Sequence, residues 1–212
     1  MMDVTIQGMS AREGGKVAVT FAFRGGEQQS KTLLLSASSV ADLSLCLGDC
    51  SEELYEAAER EEALEQAVER GLRILGCGGI SQRALENRLT QKGVKRQLAK
   101  EAAERLAQRG YLNENAQALR EAERCVGKLW GPRRIEASLR SKGYSSEVVQ
   151  RAMYALEDEG TDFVHLCAER IRGQKQEPPR ELRERQKWMA ALSRYGFSGS
   201  EIREALRLLK QE

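Results

Sequence analysis

Apolar and polar positions along this chain fall into one pattern three times. Leu85, Leu89, Lys92-Gly93-Val94, Ala99, Ala102 and Leu106 form the first copy. Ile135, Leu139, Lys142-Gly143-Tyr144, Val149, Ala152 and Leu156 form the second, and Trp188, Leu192, Tyr195-Gly196-Phe197, Ile202, Ala205 and Leu209 the third. The eight positions align without a gap, and the glycines recur at spacings of 50 and 53 residues. Apolar residues four apart share a helix face. The glycine that follows can take the left-handed conformation that stops a helix, and the residue after it is placed to pack back. Each copy therefore predicts a helix, a tight turn and a second helix. Ser145 or Ser146 can cap the second helix of the middle copy. In the last copy Ser198 and Glu201 have capping-box spacing.

A third helical segment precedes each pair: residues 51–75, then 114–129 with Leu119, Ala122, Val126 and Leu129, then 161–172 with Val164, Ala168 and Ile171. Two short amphipathic helices cannot bury both faces alone. The pattern therefore predicts three tandem three-helix repeats, at 51–112, 113–158 and 159–212, nine helices in an elongated array that offers a surface and not a catalytic pocket. Pro178-Pro179 excludes helix within the 173–180 insertion of the last repeat. Gly76 to Gly79 reads as a helix-breaking hinge between two helices. Residues 1–50 differ. Apolar runs at Val4–Gly8, Lys16–Arg24 and Ser30–Ser36, separated by glycine pairs, predict a three-stranded antiparallel meander in the first ~45 residues. Val17, Val19, Phe21 and Phe23 form one face of its middle strand. So small a sheet is marginal alone and is expected to lean on the first helices.

Charge changes the picture more than composition does. The net charge of +2 hides a net of −8 over residues 42–70 and +9 over residues 72–151. A basic middle suits a polyanionic partner. Arg83, Arg88, Lys92, Lys95 and Arg96 cluster in the first repeat, and Arg133, Arg134, Arg140 and Lys142 in the second. The alternative is a solvated helix face, neutralised by the acidic helix folding over it. Gly131-Pro132-Arg133-Arg134 favours a partner. Proline starts a helix, so both arginines sit in an exposed first turn, the wrong end of the helix dipole for cations.

Catalytic and metal chemistry have little support. Five scattered cysteines and a single histidine, His165, give no metal-site spacing and read as reduced structural thiols. There is no nucleotide-binding or metalloprotease motif. With aromatics at 5% and charged residues at 31%, an aromatic-lined ligand pocket is not expected. No long uncharged apolar run or signal-peptide core occurs, so the expected setting is cytoplasmic, with no membrane partner, no cofactor, no metal and no catalytic residue.

The string WGPRRIEASLRSKGYSSEVVQRAMYAL resembles the middle repeat of the RecX family, regulators of the bacterial recombinase RecA. RGYLNENAQA is similar to that family's link between its first two repeats, SQRALENRLTQKG to the opening helix of the first, and Arg194-Tyr195-Gly196-Phe197-Ser198 with Ile202 to the third. The resemblance covers residues 72–212, and the N-terminal strands are similar to an extension of some members. One departure lies in the link, where Asn113 and Gln117 replace an acidic residue and an aromatic. The resemblance implies a non-enzymatic monomer that binds the RecA filament, and single-stranded DNA directly or through that filament. It would inhibit ATP hydrolysis, co-protease activity and strand exchange, and so regulate DNA repair, recombination and the SOS response. It implies contact roles for Arg133, Arg134, Arg140, Lys142 and Lys92. Tyr111, Tyr144 and Phe197 are expected to be packing residues. A stand-alone DNA-binding helical module and a scaffold for an acidic protein partner remain alternatives.

Overall fold

The computed structural model describes residues 3–24, 30–76, 78–173 and 181–211. The Gly25-Gly26 break, Cys77 and the Pro178-Pro179 insertion lie outside these residues. The described chain is mainly helical, with one small antiparallel sheet at its start. No described helix is long and apolar enough to cross a membrane.

Three strands fall where the apolar runs put them: β1 (Asp3–Arg12), β2 (Lys16–Arg24) and β3 (Ser30–Ser36). They pair antiparallel in sequence, with a bulge between Ile6 and Gly8. A fourth strand, β4 (Gly48–Cys50), pairs with Val4–Ile6, so the sheet has the order β3-β2-β1-β4 and not three strands. A short helix, α1 (Ala37–Asp42), precedes it. Both additions are too short for a readable period. Val19 and Phe21 are fully buried, and Val17 and Phe23 are packed against the same core.

Nine further helices follow, which with α1 makes ten among the described residues: α2 (Glu52–Leu75), α3 (Gln82–Gln91), α4 (Arg96–Gln108), α5 (Glu114–Val126), α6 (Pro132–Ser141), α7 (Ser146–Asp158), α8 (Phe163–Gly173), α9 (Leu182–Arg194) and α10 (Gly199–Gln211). Of the apolar residues in the threefold pattern, every one is buried except Tyr195 and Leu209, which are half-buried. Gly93, Gly143 and Gly196 have φ of +86°, +91° and +98°, a conformation that costs any residue with a Cβ about 1–2 kcal/mol. The second helix of the middle pair is capped by Ser145 and not Ser146: the Ser145 hydroxyl accepts from the Val148 N–H at 3.3 Å. The capping box forms in both directions: the Ser198 N–H donates to Glu201 at 2.6 Å, and the Glu201 N–H donates to the Ser198 hydroxyl at 3.2 Å. Tyr144 and Phe197 are core residues as expected, but Tyr111 is 56% exposed. It follows the turn at Gly110, which ends α4 among exposed residues.

The chain divides into two compact units, residues 1–78 with 85–111, and residues 79–84 with 112–212. In the first, α2 packs on α4 and lies against β3. Tyr55 stacks edge-on against Phe21 and Phe23, with centroids 5.1 and 5.0 Å away. Gly71 permits close packing here, since a Cβ would stand 2.6 Å from the Leu106 methyl. The acidity of α2 has a local use. The Leu34 N–H donates to Glu62 at 2.7 Å and the Ser36 N–H to Glu65 at 2.9 Å, which satisfies the otherwise open edge of β3. Lys31 pairs with Glu59 and Lys16 with Glu69. In the second unit α5 packs on α7 and α8 on α10, around one continuous apolar core.

Candidate functional site

The second unit holds Arg83, Arg133, Arg134, Arg140 and Lys142, and it treats them differently. Gly131 caps α6, Pro132 opens it, and Arg133 follows on the exposed side of the first turn. Its N–H donates to the Gly196 carbonyl at 3.2 Å. Arg134 is half-buried, which corrects the expectation of two exposed arginines. Its guanidinium lies 4.0 Å from the Trp130 ring centroid and 5.1 Å from that of Tyr195. Arg170 stacks on the Tyr195 ring at 3.6 Å, and Lys128 stands 5.4 Å from Trp130. Two electron-rich ring faces thus offset the unfavourable dipole at this helix start.

Two other cations are held by neighbouring acids. Arg140 pairs with Glu136 at 3.1 Å, one turn back on α6. Lys142 pairs with Glu121 of α5, and this hydrogen bond holds the Glu121 carboxyl below the ordinary glutamate value. Arg83 is exposed and lies beside the Gly143 turn, where Ser81 donates to the Lys142 carbonyl at 2.7 Å. Among the described residues, Arg83 and Arg133 have no acidic partner at ion-pair distance.

The first unit holds Arg88, Lys92, Lys95 and Arg96. The acidic helix does not neutralise them as a group. Its Glu61 goes to Arg105 at 2.7 Å, and Arg60 to Glu101, while Glu59, Glu62, Glu65 and Glu69 go to the sheet and its lysines. The Glu65 carboxyl is desolvated, which raises its pKa, but hydrogen bonds from Ser39 and Ser36 bring it below its ordinary value. Only Lys95 faces α2 acids, Glu56 and Glu59, across a cavity of about 640 Å³. Arg96 is exposed at the start of α4. Arg88 and Lys92 share a second cavity, of about 330 Å³, with Arg70, Arg73 and Ile74.

Among the described residues the sulfur and imidazole groups stand apart. Burial pushes the Cys167 thiol up to about 12 and raises that of Cys50. His165 pairs with Asp162, which also caps α8 by accepting from the Val164 N–H at 2.7 Å. Among the described residues no three ligating side chains gather where a metal ion could be held.

No protein-family model matches the chain. It is 30% identical over 140 residues to the regulatory protein RecX of Xanthomonas axonopodis pv. citri (strain 306), across 66% of this chain and 85% of that one. The chain belongs to the RecX family. The regulatory protein RecX of Stenotrophomonas maltophilia (strain R551-3) is 26% identical over 157 residues, 74% of this chain and 95% of that one. A crystal structure of regulatory protein RecX shares the fold with a TM-score of 0.73 at 19% identity, over 99% of this chain and 100% of that one. RecX from Lactobacillus salivarius gives 0.59 at 18%, over 71% and 99%.

This RecX chain also accommodates its departures in the link. Asn113 caps α5 by accepting from the Ala116 N–H at 3.1 Å. Gln117 packs under Gly79, where a Cβ would stand 2.7 Å from its amide carbon, and its buried carbonyl oxygen has no hydrogen-bond partner among the described residues. Arg70 and Arg73 were not among the sequence-derived candidates, because they lie at the boundary between the acidic and basic segments. Their spacing was the available signal: i,i+3 on α2, matched by Arg88 and Lys92 at i,i+4 on α3.

Proposed function

We propose that this chain regulates the RecA recombinase, chiefly as an inhibitor. It binds the RecA–single-stranded-DNA filament and lowers its ATPase, co-protease and strand-exchange activities, without catalysis or a cofactor of its own. It acts as a cytoplasmic monomer, in DNA repair, recombination and the SOS response. The working parts are an N-terminal β extension (1–50) and helical repeats at 51–112, 113–158 and 159–212. The observation that carries this reading is the match to a regulatory protein RecX over 85% of that protein's length. The surface supports it. Arg83 and Arg133 are exposed and lack acidic partners among the described residues, a state suited to an anionic partner and of little use to the fold.

The test is the RecA ATPase on single-stranded DNA, titrated with this protein. The parent is expected to suppress hydrolysis in a concentration-dependent way. Arg83→Glu combined with Arg133→Glu is expected to keep its helical content by circular dichroism and to lose most of the suppression. A parent that leaves the ATPase unchanged contradicts the regulatory reading. A double variant as potent as the parent contradicts the contact roles of these two arginines.

A further inference from the structure

The residue that follows each turn glycine differs in size between the copies. It is Tyr144 in the second and Phe197 in the third, both buried, but Val94 in the first. Tyr144 reaches the helix that precedes its pair: burial, with Glu121 and Glu114 of α5 close by, raises the pKa of its phenol. The equivalent space in the first unit lies between the Gly93 turn and α2, and a cavity of about 640 Å³ opens there. Its floor is small and aliphatic, made by Ala63, Ala67, Val94 and Leu98, and no aromatic ring is among its lining residues. The turn itself is open to approach. A Cβ on Gly93 would meet no atom within 4 Å, whereas the Gly143 and Gly196 turns are each seated against a helix start. Stability alone would favour a ring at position 94, as at 144 and 197, because buried aromatic surface contributes more than a valine does.

We propose that the groove between α2 and the Gly93 turn receives an aromatic side chain, phenylalanine or tyrosine, carried on a helix of a partner protein. The incoming ring would take the place that Tyr144 and Phe197 fill from within the chain in the other two copies. The charges of the groove say how such a helix would lie. Glu56, Ala63, Ala67 and Arg70 follow one another at spacings of 7, 4 and 3 residues, so they share one face of α2. That face runs for about 21 Å from an acid, through two alanines, to a base. A partner helix with its ring at the centre would set a basic residue beside Glu56 and an acidic one beside Arg70, recognition of the helix-in-groove kind. A nucleic-acid strand fits less well. Unpaired bases are held by stacking on aromatic side chains, and none lines the groove; the phosphates would also pass Glu56 and Glu59. The groove is distinct from the exposed arginines of the second unit, and its chemistry is the same whichever protein supplies the ring.

The experiment uses the full chain and a fluorescently labelled, alanine-based helical peptide with one central phenylalanine, a lysine toward one end and a glutamate toward the other, followed by anisotropy. The parent should bind it saturably, and the same peptide with alanine in place of phenylalanine should bind more weakly by roughly tenfold or more, as expected of a ring anchor. Val94→Phe fills the groove from the turn and Ala63→Phe fills it from α2; each should weaken binding by roughly tenfold or more and keep the parent's helical content. Ala63 is half-buried, so the second variant tests the groove even where the first disturbs the core. Ala190→Phe adds the same ring at an exposed position of α9 and should bind as the parent does. Absence of saturable binding, equal binding of the two peptides, or parent-like binding by Ala63→Phe overturns the proposal. Filled variants that lose labelled single-stranded DNA but not the peptide overturn it in favour of a nucleic acid. Self-association of the parent in the ultracentrifuge, abolished by Ala63→Phe and equally by Tyr154→Ala, overturns it in favour of a second copy, whose Tyr154 is 71% exposed on α7. No recombinase is present, so loss of the groove leaves the regulatory reading standing, and failure of the ATPase titration leaves the groove.

Discussion

The starts of α3 and α6 occupy the same place in the repeated pattern, and each receives a glycine turn from the following copy. They hold it by different chemistry. At α3, Ser81 is buried, donates to the Lys142 carbonyl at 2.7 Å and accepts from the Ala84 N–H at 3.1 Å. At α6, Gly131 leaves room for backbone to meet backbone: its N–H donates to the Tyr195 carbonyl at 2.7 Å, and Arg134 is stacked between two rings. One join is made by a hydroxyl, the other by a missing side chain and a cation–aromatic stack. In both, the residue two places after the cap position, Arg83 or Arg133, remains exposed. The joint and the charged surface are therefore separable, and substitutions can address one without the other.

The largest expected effect breaks the joint at α6. A Cβ on Gly196 would stand 2.5 Å from the Arg134 nitrogen and Cβ, at φ +98°. Gly196→Ala is expected to destabilise the protein by about 2–5 kcal/mol, from backbone conformation plus overpacking. Gly143→Ala meets softer neighbours, the Ser81 hydroxyl at 2.9 Å and the Arg83 Cβ at 3.3 Å, and should cost about 2–3 kcal/mol. At Gly93 a Cβ has nothing within 4 Å. Gly93→Ala should therefore cost only the conformational part, about 1–2 kcal/mol. Urea denaturation of the three variants checks the order, and equal losses would mean that the joints carry no packing role.

The next substitution sharpens the difference between the joints. Ser81→Ala removes a buried donor and a helix cap together, for an expected loss of about 1–2 kcal/mol. The smallest effect is on pH. The Lys142 hydrogen bond lowers the Glu121 pKa in the folded protein. Its contribution is whole above the ordinary carboxylate value of about 4.3 and is lost as pH falls through the lower folded value. Lys142→Met should flatten the acid limb of thermal stability between the lower folded value and about 4.3 and leave its slope near neutrality unchanged. An unaltered acid limb would show that the pair does not persist in solution.

What was legible in the chain follows the range of each interaction. The glycine turns and their flanking apolar stripes were readable because a left-handed stop and a helix face are local facts. The capping box at Ser198 and Glu201 was readable for the same reason. β4 was not, since three residues carry no period. Charge was legible as segregation but not as pairing. Glu121 and Lys142 are 21 residues apart, and Glu61 and Arg105 are 44 apart. No spacing announces that one cation of such a set is paired while its neighbour is free. Arg134 is the sharpest case. Beside Arg133 in sequence it reads as the same residue twice, but the rings of Trp130, just before α6, and Tyr195, after α9, hold it.

That contrast gives the most direct measurement of the central claim, that partnerless arginines engage the recombinase filament while held ones maintain the fold. It compares Arg133→Gln with Arg134→Gln for thermal midpoint and for the concentration that half-suppresses the RecA ATPase on single-stranded DNA. Arg133→Gln should keep the parent's midpoint and require more protein, by a factor that shrinks as salt rises. Arg134→Gln should lose about 0.5–2 kcal/mol of stability with the stack and suppress as the parent does below its midpoint. Parent-like suppression by Arg133→Gln at low salt, or selective loss of suppression in Arg134→Gln, would contradict the account.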